Sequence, residues 1–156
     1  LVGSEMCIRD RLEAGKNVAM LTIGDPSVYS TYMYIHKRVM QAGFTAVMIS
    51  GVPSFCAAAA RLGISLGEMM DEIHIIPASY DVRATVGYGG TCVYMKSGKK
   101  LAELIEVLRT GDAIRKKKMT VYGVTNCGME SERVYRGLDE LTEAKGYLTI
   151  VIVKYS

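Results

Sequence analysis

The chain has 156 residues, 49% hydrophobic and 22% charged, with a net charge of +3. That balance suits one ordinary globular domain or two small ones, and the mild charge, with acids mixed among the bases, does not by itself imply a nucleic-acid partner. No apolar run reaches the roughly 18 residues of a membrane span, and no secretory leader is evident. Cys7, Cys56, Cys92 and Cys127 form no CxxC pair and lie at no finger-type spacing from His36 or His74; this argues against a metal and for reduced, buried cysteines in a cytoplasmic protein.

Residues Leu1 to Arg11 (LVGSEMCIRDR) show neither a helical nor an alternating period, and read as a non-native leader outside the fold (1–11). Asn17 to Ile23 (NVAMLTI) is a short apolar run that predicts a buried parallel strand. Gly24-Asp25-Pro26 breaks it, with Asp25 suited to a helix N-cap and Pro26 to the first helical position. Val28, Tyr32, Ile35 and Val39 follow at helical spacing, and Gly43 ends the helix. The cycle repeats with a strand over Thr45 to Ser50, a turn at Gly51-Val52-Pro53-Ser54, and an alanine-rich helix from Phe55 to Leu62 stopped by Gly63. Two strand–turn–helix units in succession predict an α/β fold whose parallel sheet is joined by crossover helices.

Ile73 to Pro77 (IHIIP) predicts a further strand; 78–86 is weakly patterned and Gly87-Tyr88-Gly89-Gly90 is a loop. A domain boundary is placed near Ala78, giving domains over 12–78 and 79–156. In the second, Thr91 to Met95 is a strand, and Lys99 to Arg109 is a helix with Leu101, Leu104, Ile105 and Leu108 on one face. Met119 to Val124 is a strand, Glu132 to Leu141 a helix, and Tyr147 to Lys154 the closing strand.

A strand that ends in a glycine turn and leads into a helix has a physical use. Glycine lets the backbone approach a ligand, and free helix N–H groups face its polar atoms. Ligands of open α/β sheets bind beyond the carboxyl ends of the strands, where both glycine turns stand. Neither GxGxxG nor GxxxxGK[ST] is present, so a Rossmann dinucleotide site and a P-loop are unsupported. Taken alone, Asp25 reads as a helix cap.

Longer strings say more. TIGDPSVYSTYMYI (Thr22 to Ile35) resembles the GDPxxYST signature of the tetrapyrrole methylase family. SGVPSFCAAAARLGISL (Ser50 to Leu66) is similar to the next signature of that family's precorrin-2 C20-methyltransferase branch. HIIPAS (His74 to Ser79), YMKSGKKL (Tyr94 to Leu101) and ESERVYRGLDEL (Glu130 to Leu141) also resemble the branch, so the likeness runs from about Lys16 to Tyr155. SFCAAAARLG and MKSGKK separate this branch from the others; the GDP turn alone does not.

The resemblance implies two α/β domains, an incomplete N-terminal one with a parallel sheet and a C-terminal one with a mixed sheet, binding S-adenosylmethionine between them. Carried over by position, the cofactor residues are Ile23, Gly24, Asp25, Val28, Ser30 and Thr31, then Pro53 and Ser54, then Met95 and Cys127. The implied reaction is methyl transfer to carbon 20 of precorrin-2 or its cobalt-bearing counterpart, cobalt-factor II, driven by positioning of two bound reactants. The resemblance names no catalytic acid or base. It implies a homodimer at full length, with no membrane or nucleic-acid partner. The family's GxGxGD loop is absent, which reads as an N-terminal truncation that exposes a sheet edge. The alternatives are a methylase acting at another ring carbon, and a fragment that binds cofactor or acts as an interaction module without turnover.

Other residues carry two readings each. Tyr29 could stack on a macrocycle or pack, whereas Tyr32 stands at core spacing. Lys96, Lys99 and Lys100 could meet substrate carboxylates or form a solvated helix start. Arg115 to Lys118 reads as a solvated loop, His36 as a satisfied or solvent-facing residue, and His74 as lying on an exposed strand face. Cys56 is expected to pack among alanines.

Overall fold

The computed structural model describes residues 2–77, 81–114 and 118–155. The backbone gathers into two compact units, Leu1–Pro53 and Ser54–Ser156. Packing therefore divides the chain earlier than the boundary expected near Ala78, which itself lies outside the described residues.

The first unit holds two helices, α1 (Val2–Glu13) and α2 (Tyr32–Gln41). α1 forms over the opening residues although, as read from the sequence, they carry no helical period. It has no apolar stripe; the Arg9–Glu13 ion pair, one turn apart at 2.7 Å, supports it locally. All three helices up to Leu62, including α3 (Ser54–Leu62) of the second unit, end alike. A glycine with positive φ follows the last turn, at Gly15, Gly43 and Gly63. Behind Gly43, Gly43 N–H donates to Met40 O and Phe44 N–H to Val39 O; behind Gly63, Gly63 N–H donates to Ala60 O and Ile64 N–H to Ala59 O. These paired bonds satisfy the last carbonyls, and only a left-handed residue allows them.

The strands expected at Asn17 to Ile23 and Thr45 to Ser50 are absent: among the described residues of the first unit no ladder forms. Leu21 is 92% exposed, and Ile23 and Ile49 are each 85% exposed. A continuous apolar run becomes a buried strand only with ladder partners and cover on both faces, and local pattern supplies neither. α2 also starts later than expected, at Tyr32 rather than after Pro26. Tyr29 has φ 50, a left-handed value that an α-helix cannot contain, so the helix begins beyond it.

The second unit is built on a five-stranded mixed sheet: β1 (Ile73–Pro77), β2 (Thr91–Met95), β3 (Met119–Thr125), β4 (Arg133–Arg136) and β5 (Thr149–Tyr155). The spatial order is β1-β2-β5-β3-β4. β1 and β2 run parallel, and the other pairs are antiparallel. β1, expected in the N-terminal domain, thus belongs to this sheet. α4 (Leu101–Ile114) lays Leu101, Leu104, Ile105 and Leu108 against one face, with Cys92, Tyr94, Val151 and Val153 in the same cluster. α3 packs against β3 and β5 with Phe55, Ala58, Ala59 and Leu62 buried. β2 and β5 lie in the middle of these layers, which is why their residues are apolar without alternation.

Three further expectations are corrected here. Glu132 to Leu141 is not one helix. Arg133–Arg136 forms a hairpin with β3, and the short helix α5 (Leu138–Leu141) follows only after Gly137, whose φ of 106 ends the strand. His74 does not lie on the open face of β1, because Ile73 and Ile75 do; its ring packs on Tyr88 at a centroid distance of 4.7 Å. Cys7 and Cys56 are exposed, not buried. The buried face of α3 is the 55, 58, 59 and 62 stripe, which leaves Cys56 on the opposite side; Cys92 alone is fully buried and Cys127 half-buried.

Candidate functional site

In the first unit the two glycine bends are joined by one side chain. Asp25 Oδ2 accepts from Gly51 N–H at 2.9 Å, and Asp25 Oδ1 accepts from Ser27 N–H at 2.8 Å and from Ser27 Oγ. The expected N-cap role is therefore corrected: α2 begins at Tyr32 with Thr31 at its N-cap, so the Asp25 carboxylate caps no helix and serves these three donors instead. These bonds favour the charged form, so the Asp25 carboxyl is held below its usual range, Ser27 first and Gly51 after it. The approach is close enough that a Cβ on Gly51 would overlap the Gly24 carbonyl oxygen. Gly24 itself has φ 85.

The residues around these bends divide by exposure. Ile23 and Thr31 are exposed; Gly24, Asp25, Val28, Ser30 and Pro53 are half-buried. Ser30 Oγ accepts from Tyr32 N–H at 3.2 Å, at the start of α2. Tyr29 is exposed, and Tyr32 Oη meets His36 Nδ1 at 3.2 Å, which gives His36 the satisfied state expected of it.

In the second unit the sheet register brings two predicted residues to one end. Tyr94, Val151 and Gly123 form a row across β2, β5 and β3. Continuing outward, β2 ends at Met95 and the β3–β5 ladder closes with Thr125 opposite Thr149. Met95, Lys96 and Cys127 thus leave from the same edge, with β5 between β2 and β3, so the two chain exits stand about 10 Å apart, two strand spacings. Met95 is buried and Lys96, with φ 56, is exposed. Ser54 is half-buried at the start of α3. The Lys99 side chain lies outside the described residues, as do 115–117 of the basic run, while Lys100 pairs with Glu103 at 3.8 Å.

Cys127 sits in a loop held by charge. Glu132 Oε2 accepts from Gly128 N–H at 2.7 Å, and Glu132 Oε1 is paired with Arg61 Nε of α3. These contacts hold the Glu132 carboxyl below its usual range, the Gly128 bond foremost. Burial, then the neighbouring Glu132 charge, raises the Cys127 thiol. Asn126, with φ 52, bonds Ser131 Oγ through Nδ2 at 2.9 Å and closes the same loop. Among the described residues, no three His, Cys, Asp or Glu side chains gather at metal-binding spacing, and no helix is long and apolar enough to cross a membrane.

Sequence reasoning named the Gly51 turn but not its bond to Asp25, and it missed Ser27, Glu132 and Arg61 as site residues.

The family model for tetrapyrrole (corrin/porphyrin) methylases matches residues 4–142. The probable cobalt-precorrin-2 C(20)-methyltransferase of Methanocaldococcus jannaschii is 31% identical over 153 residues, 96% of this chain and 64% of that protein. This chain therefore spans just under two thirds of that relative. Among solved structures, a cobalt precorrin-4 methyltransferase superposes with a TM-score of 0.81 at 17% identity, covering 97% of this chain and 69% of that one. The uroporphyrin-III C-methyltransferase of Thermus thermophilus, complexed with S-adenosyl homocysteine, gives 0.74 at 18% identity, covering 96% and 71%.

Proposed function

The chain belongs to the tetrapyrrole (corrin/porphyrin) methylases, and from that premise we propose that it serves an S-adenosylmethionine-dependent methyl transfer to carbon 20 of precorrin-2 or cobalt-factor II, in corrin biosynthesis. The observation that carries this reading is the Asp25–Gly51 bond, which ties two glycine bends into one backbone surface. The choice of carbon 20 draws on the Ser54–Gly63 string SFCAAAARLG and on the Methanocaldococcus relative.

The residues present fit such a cofactor. Its adenine and methionine arms ask for shape and backbone partners more than for charge. Gly24 and Gly51 present backbone without side chains, Met95 and Cys127 are soft and apolar, and a Cβ on Gly128 would meet nothing within 4 Å, so the chain beside Cys127 borders open space. When bound, the cofactor supplies an electrophilic methyl group on a sulfonium.

The protein's own part is orientation. Ile23, Gly24, Val28, Ser30, Thr31, Pro53, Ser54, Met95 and Cys127 hold the donor; Asp25 fixes the two bends against each other as a positioning residue. Tyr29 and Lys96 face the substrate, Lys96 meeting its carboxylates. Proximity and alignment account for the rate, and no side chain is assigned as base. A second reading, a module that binds the cofactor without turnover, draws on the exposed apolar segments around Leu21 and Ile49. Incubation with methyl-labelled S-adenosylmethionine and precorrin-2 tests both. Label at carbon 20 supports the methylase, label at another carbon overturns the assigned position, and cofactor binding without label supports the module.

A further inference from the structure

Three buried hydroxyls tie together the strand ends that carry Met95 and Cys127. Ser97 Oγ donates to the Thr149 carbonyl at 3.0 Å. Thr149 Oγ1 donates to the Gly146 carbonyl at 3.0 Å and lies 2.9 Å from Thr125 Oγ1. A hydroxyl has one proton; that of Thr149 is committed to Gly146, so Thr125 is the donor between the two threonines. Ser97 and Thr149 are 0% exposed and Thr125 is 2% exposed. Hydroxyls so deeply buried offer no packing advantage over apolar groups of the same size, because each must be desolvated. What they add is direction.

That direction falls on the proposed cofactor wall. Ser97 follows Met95 and Lys96, and Thr125 precedes Asn126 and Cys127. Thr149, on the strand between them, meets Ser97 through its backbone carbonyl and Thr125 through its hydroxyl. The backbone reinforces the arrangement: Asn126 N–H donates to Leu148 O at 2.9 Å, and a Cβ on Gly98 would come within 2.6 Å of Gly146 O, so the loops after β2 and before β5 touch. Resting on the methylase reading, we propose that Thr149 is a positioning residue that sets the Met95–Lys96 segment against the Asn126–Cys127 segment so that both meet one cofactor.

The test compares the wild-type chain with Thr149→Val, which keeps the shape and removes the hydroxyl, and Thr149→Ser, which keeps the hydroxyl. The probe is S-adenosylhomocysteine, with hydrogen exchange of the amides at 95–98 and 125–128 as the second readout. Thr149→Val is expected to weaken binding about tenfold, the factor that one lost buried hydrogen-bond pair corresponds to. It should also speed exchange at 125–128, which the Thr149 hydroxyl holds through Thr125, while 95–98, held by Ser97 on the Thr149 backbone carbonyl, speeds up in Ser97→Ala instead; Thr149→Ser restores both affinity and exchange. Wild-type binding with Thr149→Val unchanged, or faster exchange confined to 146–149, overturns the proposal alone. A wild-type chain that binds no S-adenosylhomocysteine overturns the methylase reading and the proposal with it. Should Thr149→Val not fold, Ser97→Ala and Thr125→Val each remove one outer bond; unchanged affinity in both overturns the proposal, and weaker affinity in both supports it.

Discussion

Asp25 and Gly51 stand 26 residues apart and are joined by a 2.9 Å bond from the Gly51 amide to the Asp25 carboxylate. Neither residue can be exchanged freely. Gly51→Ala would push a methyl into the Gly24 carbonyl, and Asp25→Asn places an amide nitrogen where one of the carboxylate's acceptor oxygens stood. Both variants should lose most S-adenosylhomocysteine affinity while keeping the second unit's fold, since the bends lie in Leu1–Pro53. Titration beside far-ultraviolet circular dichroism checks this; full affinity in Gly51→Ala contradicts it.

The same bond gives a pH dependence. The folded Asp25 carboxyl is lowered from 3.8 by Ser27 and Gly51, so the folded chain binds fewer protons than the unfolded one across that window. The contribution is therefore complete above the usual carboxylate range and lost as pH falls through the lowered value. The Gly51 amide resonance should move with acidification in that window, below 3.8, and Asp25→Asn should abolish the movement.

Cys127 should alkylate slowly despite its partial exposure, because burial and then the Glu132 charge raise its thiol. Glu132→Gln removes the like charge and should speed its modification. Arg61→Ala removes the cation that offsets it and should slow it. Site-resolved peptide mass spectrometry reads this directly, with the exposed Cys7 and Cys56 as internal references. An unchanged rate in Glu132→Gln would show that the loop charge does not reach the thiol.

Tyr94, buried within the α4 face of the sheet, meets Thr85 Oγ1 at 2.7 Å, and Thr85 donates in turn to Val82 O at 2.6 Å. Tyr94→Phe leaves Thr85 satisfied through Val82 and should cost about 1 kcal/mol of stability. Denaturant unfolding measures it. A loss several times larger would mean that the phenol supports more than this pair.

Much of the fold was legible because its signals are local. Gly43 and Gly63 end helices through bonds confined to six residues, and the mostly apolar runs at β1, β2 and β5 are short enough to read as strands. What failed was non-local. Arg133–Arg136 looks helical beside Leu138–Leu141 until its antiparallel partner β3 is known. Asn17 to Ile23 and Thr45 to Ser50 carry strand composition, but a ladder depends on neighbours that composition does not name. The candidate site divides in the same way. Gly24, Asp25 and the Gly51 turn were readable as bends, whereas the bond between them spans 26 residues. Ser97, Thr125 and Thr149 read as ordinary polar positions at strand ends, since nothing in a single sequence places three hydroxyls together.

Isothermal titration of the wild-type chain with S-adenosylhomocysteine decides whether the Asp25–Gly51 bends form part of a cofactor site. Saturable binding of one ligand per chain is expected, with most of the affinity lost in Gly51→Ala. Absence of heat and of saturation in a folded wild-type chain would contradict it.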